Sequence, residues 1–343
     1  MENKKTFEIP TPVAIIIAGA LLSGAWMFNN WLNLPVNQQK TTLAAQKKVQ
    51  VQLSDAEKKV IPAGGVELPV TWGELGKQLT DVGVIDKEKF KKLYVDRQEW
   101  NAEYDKLLSG NNTGKIRVTP ENSPFLLNLL WALGLAQNNP ILFDKEDIMN
   151  PKYANGKTPG STFASTGGWN MAVGNSMDHY GKHTFFNLTP EQQALVDKIS
   201  RGVYRPCCGN STHFPDCNHG MAMLGLLELM ASQDASEQDM WKAALAINSY
   251  WFPDTYITIA SYMKEKKNIE WKNVNPQEVL GVDYSSGQGF AKISAQVAPV
   301  SGSSRGGSGC GISSGAPAET VAQPHDALPI LAQPQRRQSG CGL

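Results

Sequence analysis

Apolar residues recur along this chain with helical rather than strand spacing. Leu75, Leu79 and Val82 share one helical face behind Thr71-Trp72-Gly73-Glu74, a capping box in which the Thr oxygen accepts from a backbone N–H while the Glu reaches back. Asp86 opens a second helix with Phe90, Leu93 and Tyr94 as its buried stripe. Ser123 and Pro124 supply a cap and a first-turn proline. Phe125 to Ala136 is then apolar nearly all round, as expected of a helix at the centre of a core. Thr189-Pro190-Glu191-Gln192 repeats the start signal, with Leu195, Val196 and Ile199 facing inward. Met221 to Met230 predicts a second very apolar helix. Ser236 caps another, which Pro253 should kink or end near Phe252. Strand signals are sparse, Lys115 to Val118 being the best short candidate. The pattern predicts a mainly α fold: an irregular multi-helix globular domain with long loops.

The ends break this pattern. Residues 13–28 are almost wholly apolar, and Trp31 and Leu32 extend the stretch, so that residues 11–33 have the length and interfacial tryptophans of a transmembrane anchor or a signal segment. Residues 1–10, with Lys4 and Lys5, would then be cytoplasmic, and the chain beyond the span extracytoplasmic at the cell membrane. Residues 34–65 are polar and end in Pro62-Ala63-Gly64-Gly65, which predicts a linker ahead of a helical domain at 66–284. From 285 to 343 Gly, Ser, Ala, Gln and Pro dominate, a composition that predicts disorder, with Cys310 and Cys341 in matching Ser-Gly-Cys-Gly settings.

Charge narrows the partners. Lys plus Arg equals Asp plus Glu at 32 each, and no dense basic run carries interleaved aromatics, which argues against nucleic acid. Residues 66–284 hold no GxSxG, and the chain has no P-loop, no dinucleotide fingerprint and no thioredoxin-like CxxC, so no nucleotide cofactor is implied.

The chemistry concentrates between Cys207 and His219, where Pro-Cys-Cys-Gly-Asn-Ser-Thr-His-Phe-Pro-Asp-Cys-Asn-His-Gly brings three of the five Cys and two of the five His together. Thiolate and imidazole are the donors preferred by zinc and copper. The candidate ligands are Cys207, Cys208, His213, Cys217 and His219. The adjacency of Cys207 and Cys208 favours Cys208, His213, Cys217 and His219 as the set around one ion. With Asp216 as a helix N-cap, Cys217 and His219 would occupy the first turn, where the helix dipole favours a thiolate. Two other readings remain open: a disulfide from Cys207 or Cys208 to Cys217, and a thiol redox enzyme. In the latter Cys217 reacts, Cys207 or Cys208 resolves it, and His213 or His219 tunes its acidity. His179 and His183, four apart, read as solvated loop residues beside Gly181, and Met171, Met177, Met221 and Met223 as core filling.

On the segments 206–209 and 217–220, the latter running into an apolar helix, the chain resembles uncharacterised exported, membrane-anchored bacterial proteins with a PCCGN…FPDCNHG motif. Over residues 206–220 it is also similar to the PCYCGC-motif family of exported bacterial proteins, departing from it in lacking Tyr between the first two Cys. The resemblance implies export to an extracytoplasmic setting and transfers no activity. Sequence alone therefore predicts a membrane-anchored binding protein for copper or zinc, with the redox enzyme and a disulfide-stapled scaffold as alternatives.

Overall fold

In the computed structural model the described residues are 55–154 and 156–297. Residues 11–33, the predicted anchor, lie outside them, as do Cys310 and Cys341. Among the described residues no helix is long and apolar enough to cross a membrane. The domain is mainly helical, as the periodicity predicts.

Two apolar helices form its centre. Helix α4 (Ser123–Ala136) is buried along nearly its whole length and packs on α7 (Asn218–Ser232), whose residues Asn218 to Ala231 are all buried. Their axes approach closely because glycines meet at the crossing. A Cβ on Gly225 would stand 2.5 Å from the Leu130 carbonyl oxygen, and one on Gly134 would stand 2.1 Å from that of Met221. Around this pair run α6 (Pro190–Gly202), α8 (Glu237–Trp251) and α9 (Pro253–Lys267), with the chain breaking at Phe252 before Pro253 as expected. Thr189 and Gln192 form the predicted capping box of α6.

The amino-terminal part departs from the sequence expectation. Thr71 does not cap a helix: Val66–Gly73 is strand β1, and α1 (Leu75–Asp81) begins after Glu74 without a side-chain cap. Leu68, Val70 and Trp72 alternate inward, a period of two hidden in a short segment. The Gln233 side chain accepts from the Thr71 N–H at 2.9 Å and donates to its carbonyl at 2.8 Å, holding that residue extended. The partner strand β2 (Asn112–Val118) contains the predicted Lys115–Val118 and runs antiparallel to β1, with Val66 opposite Val118. Val82, expected inside, is 41% exposed. Helix α2 (Lys87–Val95) is capped by Asp86 as predicted and, with α3 (Ala102–Ser109), sets Phe90, Tyr94 and Tyr104 against Phe125 of α4.

Both predicted boundaries move outward. Val60 and Ile61, assigned to the linker, are buried, and Tyr250 donates to the Pro62 carbonyl at 2.8 Å. After α10 (Pro276–Leu280), α11 (Val282–Ser285) ends on the first residue assigned to the tail and α12 (Gly287–Ser294) lies wholly within it; together they bury Ser285, Gly289 and Ile293. Gly and Ser support order here because Gly289 lets the turns close: its Cβ would stand 2.2 Å from the Val282 carbonyl oxygen.

The long connection from α4 to α6, which includes the short α5 (Ser176–His179), is ordered by buried donors. Trp131 Nε1 donates to the Ser165 carbonyl at 2.8 Å, Trp169 Nε1 to that of Val84 at 2.9 Å, and the Tyr180 hydroxyl to that of Leu142 at 3.0 Å. Each satisfies a backbone oxygen that burial would otherwise leave unpaired.

Glu228 is an anomaly in this core. It is fully buried within α7, and neither carboxyl oxygen finds a hydrogen-bond partner. The nearby Asn139 amide is taken up in a reciprocal pair with Gln193 at 3.0 and 3.1 Å. Burial raises the Glu228 pKa well above the ordinary value of 4.5, and Asn139 offsets this only in part. The folded state thus keeps a proton that the unfolded chain releases, so stability declines as pH rises above about 4.5. Glu228→Gln should flatten the fall of melting temperature between pH 5 and pH 8 relative to the wild type, as thermal denaturation will show. Gly225→Ala, which forces α4 and α7 apart, should cost about 1–3 kcal/mol in chemical denaturation.

Candidate metal centre

The site is built where the loop after α6 meets the amino end of α7. Tyr204 and Ser211 pair as an antiparallel bridge, the Tyr204 N–H donates to the Leu280 carbonyl, and Thr212 and His213 are tied back to Val203 and Ser200. The loop 205–217 thereby curls over a single side chain, Arg205, which is 1% exposed. Its Nη1 donates to the Asn210 and Ser211 carbonyls at 3.2 and 2.7 Å, and its Nη2 to that of Phe214 at 2.9 Å and to Asp216 Oδ1. Its Nε donates to Cys217 Sγ at 3.0 Å. Gly220, in the first turn of α7, makes room for it: a Cβ there would lie 2.6 Å from the guanidinium carbon.

Asp216 is not the helix cap. Its carboxylate accepts from Arg205 and, at 2.8 Å, from Asn210 Nδ2, so it holds the loop instead of the first-turn N–H groups. The cap is Cys217, with φ −123° and ψ 166°, which places its sulfur beside the amino end of the helix and His219 within the first turn.

Three sulfurs converge. The Sγ atoms of Cys207, Cys208 and Cys217 all lie within 4.8 Å of one another, so the adjacency of Cys207 and Cys208 does not keep either from the site. Cys207 Sγ and Cys217 Sγ are 3.6 Å apart, in contact but not bonded, whereas a disulfide requires about 2.05 Å. Cys217 is 5% exposed, while Cys207 and Cys208 are half-buried. The Cys207 and Cys208 thiols, followed by the Arg205 charge and the His219 ring, hold Cys217 well below the ordinary thiol range against the effect of burial. The same neighbours, Cys207 first and then Cys217, together with burial, raise Cys208. The cluster thus favours the thiolate at Cys217 over one at Cys208. Burial opposes the Arg205 charge, but the facing Cys217, Cys208 and Asp216 outweigh it and hold the guanidinium protonated.

His219 is fully buried between Trp251 and Phe252, with its ring centroid 4.4 Å from that of Phe252, and neither ring nitrogen has a hydrogen-bond partner. An imidazole stripped of water and left with both nitrogens unpaired is costly unless something else engages it. It lies close enough to Cys217 to lower that thiol.

His213 is not part of this group. Its side chain, 4% exposed, turns the other way: Nδ1 stands 3.0 Å from Asp147 Oδ2, Nε2 stands 2.9 Å from Asp197 Oδ1, and Asp144 completes a second set of potential ligands. This set borders an open groove of about 620 Å³ whose wall includes Ile141 and Gln193. Arg201 already places a cation there, with Nη2 2.8 Å from His213 Nε2 and two hydrogen bonds to Asp197, whose carboxyl it holds below the usual range. The set ties α6, the loop at 144–147 and the cluster loop together. His179 is not a solvated loop residue: it ends α5 and is buried, its Nε2 donating to the Val173 carbonyl at 2.9 Å and its Nδ1 left to accept from His183 Nε2 at 3.1 Å. Met221 and Met223 fill the core, as expected.

Cys207, Cys208 and Cys217, and separately Asp144, Asp147 and His213, are therefore the groups that could hold a metal ion among the described residues. Sequence reasoning missed Arg205, Asp144, Asp147 and Asp197. Arg205 left a trace, being a lone charge immediately before Pro-Cys-Cys; the aspartates left none. No family model, curated protein or solved structure matches this chain.

Removing Arg205 strands Asp216, the Cys217 thiolate and three loop carbonyls in a dry interior. Arg205→Met should lose about 3–5 kcal/mol of stability, and Arg205→Lys should recover part of it, since Lys restores the charge but not the planar set of donors; denaturant titration distinguishes the two.

Proposed function

We propose that this protein binds a thiophilic metal ion through Cys207, Cys208 and Cys217, with His219 as fourth donor. One observation carries the reading: three converging sulfurs beside a fully buried imidazole whose nitrogens have no partner. The three sulfurs converge, and the His219 ring, which stands outside that group but beside Cys217, would complete a tetrahedral donor set of the zinc type. Copper suits thiolates too, but charge favours the divalent ion. With Arg205 balanced against Asp216, three ligating thiolates leave one net negative charge around a divalent ion and two around a monovalent ion, and buried net charge is expensive. The protein's part is to preorganise the donors. Arg205 fixes the loop, the α7 terminus presents Cys217, and Trp251 and Phe252 fix the ring plane of His219.

The apolar segment 11–33 supports a tethered form of this function, with the metal-binding domain held on the extracytoplasmic side of the cell membrane. The metal is the cargo or structural ion of a binding protein.

Full-length protein purified without chelator should carry about one zinc per chain by elemental analysis, and the stripped protein should regain zinc with a rise in melting temperature. Cys217→Ser should abolish stoichiometric binding, and His219→Ala should weaken it about 10- to 100-fold. His213→Ala should keep the stoichiometry, because that ring serves the aspartates. Affinity should fall on acidification as the thiolates take up protons. A chain that takes up neither zinc nor copper(I), with its thiols intact, overturns the proposal.

A further inference from the structure

The metal centre is asymmetric in a way that a purely structural zinc site does not need. Its inner half, Cys217 and His219, is sealed: Cys217 is 5% exposed and His219 fully buried. Its outer half, Cys207 and Cys208, is half-buried at the loop surface. Across the two halves, Cys207 Sγ lies 3.6 Å from Cys217 Sγ. Cys208 Sγ, within 4.8 Å of the other two sulfurs, also has Asp216 Oδ1 at 4.0 Å. The two outer cysteines are poor partners for each other, since adjacent Cα atoms sit about 3.8 Å apart and disulfides span roughly 4.4–6.8 Å.

We propose that the centre is a redox-gated one, in which a hydroperoxide joins Cys207 to Cys217 and so expels the metal. The proposal rests on the metal-binding reading above. In the first step the outer Cys207 sulfur attacks the distal oxygen of the hydroperoxide. A sulfur–oxygen bond forms and the oxygen–oxygen bond breaks, giving the Cys207 sulfenic acid and, after uptake of one proton, an alcohol, or water where hydrogen peroxide is the oxidant. In the second step the Cys217 thiolate, held at 3.0 Å by the Arg205 Nε–H, attacks the Cys207 sulfur and displaces hydroxide, which leaves as water on taking up a proton. Two thiolates have then lost two electrons in all to one peroxide, and the metal ion leaves with its charge unchanged. It leaves because Cys208 and His219 alone remain as donors, two where a closed site uses four. The roles are the reverse of those the sequence implies: the buried Cys217 resolves, and the accessible Cys207 is oxidised first.

The geometry also accounts for reversibility. Arg205 is anchored by the Asn210, Ser211 and Phe214 carbonyls as well as by Cys217, so the loop keeps its frame when the sulfur bond forms. Reduction by a dithiol then returns both thiolates to the same positions.

The test uses zinc-loaded full-length protein, and in parallel its Cys310→Ser/Cys341→Ser variant, which removes the other two thiols. Each is treated with an equivalent of hydrogen peroxide while a chromogenic chelator reports zinc and non-reducing peptide mapping locates any disulfide. The expected result is zinc release in step with a Cys207–Cys217 disulfide in both proteins, reversed by dithiothreitol and renewed zinc. Cys208→Ser should still form that disulfide under peroxide, whereas Cys207→Ser should form no peroxide-induced bond at Cys217. Retention of zinc by protein that carried it, or release accompanied by a Cys208 disulfide or a sulfinate, overturns the gating and leaves metal binding standing. Protein that binds no zinc before peroxide is added overturns both.

Discussion

Arg205 is the interaction on which the site depends. Its guanidinium is buried at the centre of the loop 205–217 and spends its donors on three backbone carbonyls, one carboxylate and one sulfur. A loop that curls this tightly turns carbonyl groups inward, where they lose water, and one planar cation satisfies several of them together. The cation has to be balanced in turn, and Asp216 and the Cys217 thiolate supply the negative charge. Structure and reactivity are therefore coupled: the group that orders the loop also helps to favour the anionic form of a buried sulfur. The Cys207 and Cys208 thiols act first and the Arg205 charge adds to them, together opposing the burial that favours the neutral Cys217 thiol.

The helical core serves this arrangement by fixing where the loop must close. Glycines at the crossing bring α4 and α7 together, and α7 carries Cys217 at its cap and His219 in its first turn. The break at Phe252 between α8 and α9 turns Trp251 and Phe252 against the His219 ring. Cys208 and the amino end of α12 are joined by a hydrogen bond from the Gly287 N–H to the Cys208 carbonyl at 3.0 Å, so the last helices close over the outer cysteines. The Asp/His cluster around His213 anchors the same loop from its other side, to α6 and to residue 147. The centre is thus suspended between two polar anchors, one at Arg205 and one at His213, each with its charges paired locally.

The polar anomalies differ in kind. Glu228 and His219 both lie on α7 with no hydrogen-bond partner. Glu228 can shed its charge by keeping a proton, at the expense of stability at higher pH. Both side chains still carry polar atoms in need of partners, but His219 alone lies beside the converging sulfurs. A metal ion would engage the bare nitrogen. That is why the buried imidazole points to a ligand more strongly than the buried acid does.

Sequence by itself determined the helical class, the central apolar segments at 125–136 and 221–230, the capping of α2, α6 and α8, the break at Pro253 and the concentration of chemistry between Cys207 and His219. These follow from short-range rules, since a helix face, a cap or a proline break depends on residues a few positions apart. Only the tertiary structure decided which of the clustered residues meet. His213 and Cys217 are four apart in sequence, yet one faces Asp147 and Asp197 while the other faces Arg205, because the path of a loop is set by distant carbonyls and carboxylates that periodicity does not encode. The strand at 66–73 was hidden for the same reason: a Gln side chain 162 positions away completes the hydrogen bonding of Thr71 and overrides its helix-capping signal. The order of residues 285–297 was hidden because small residues gain their stability from close packing against helices already formed. Composition can count such residues, but it cannot show what stands beside them.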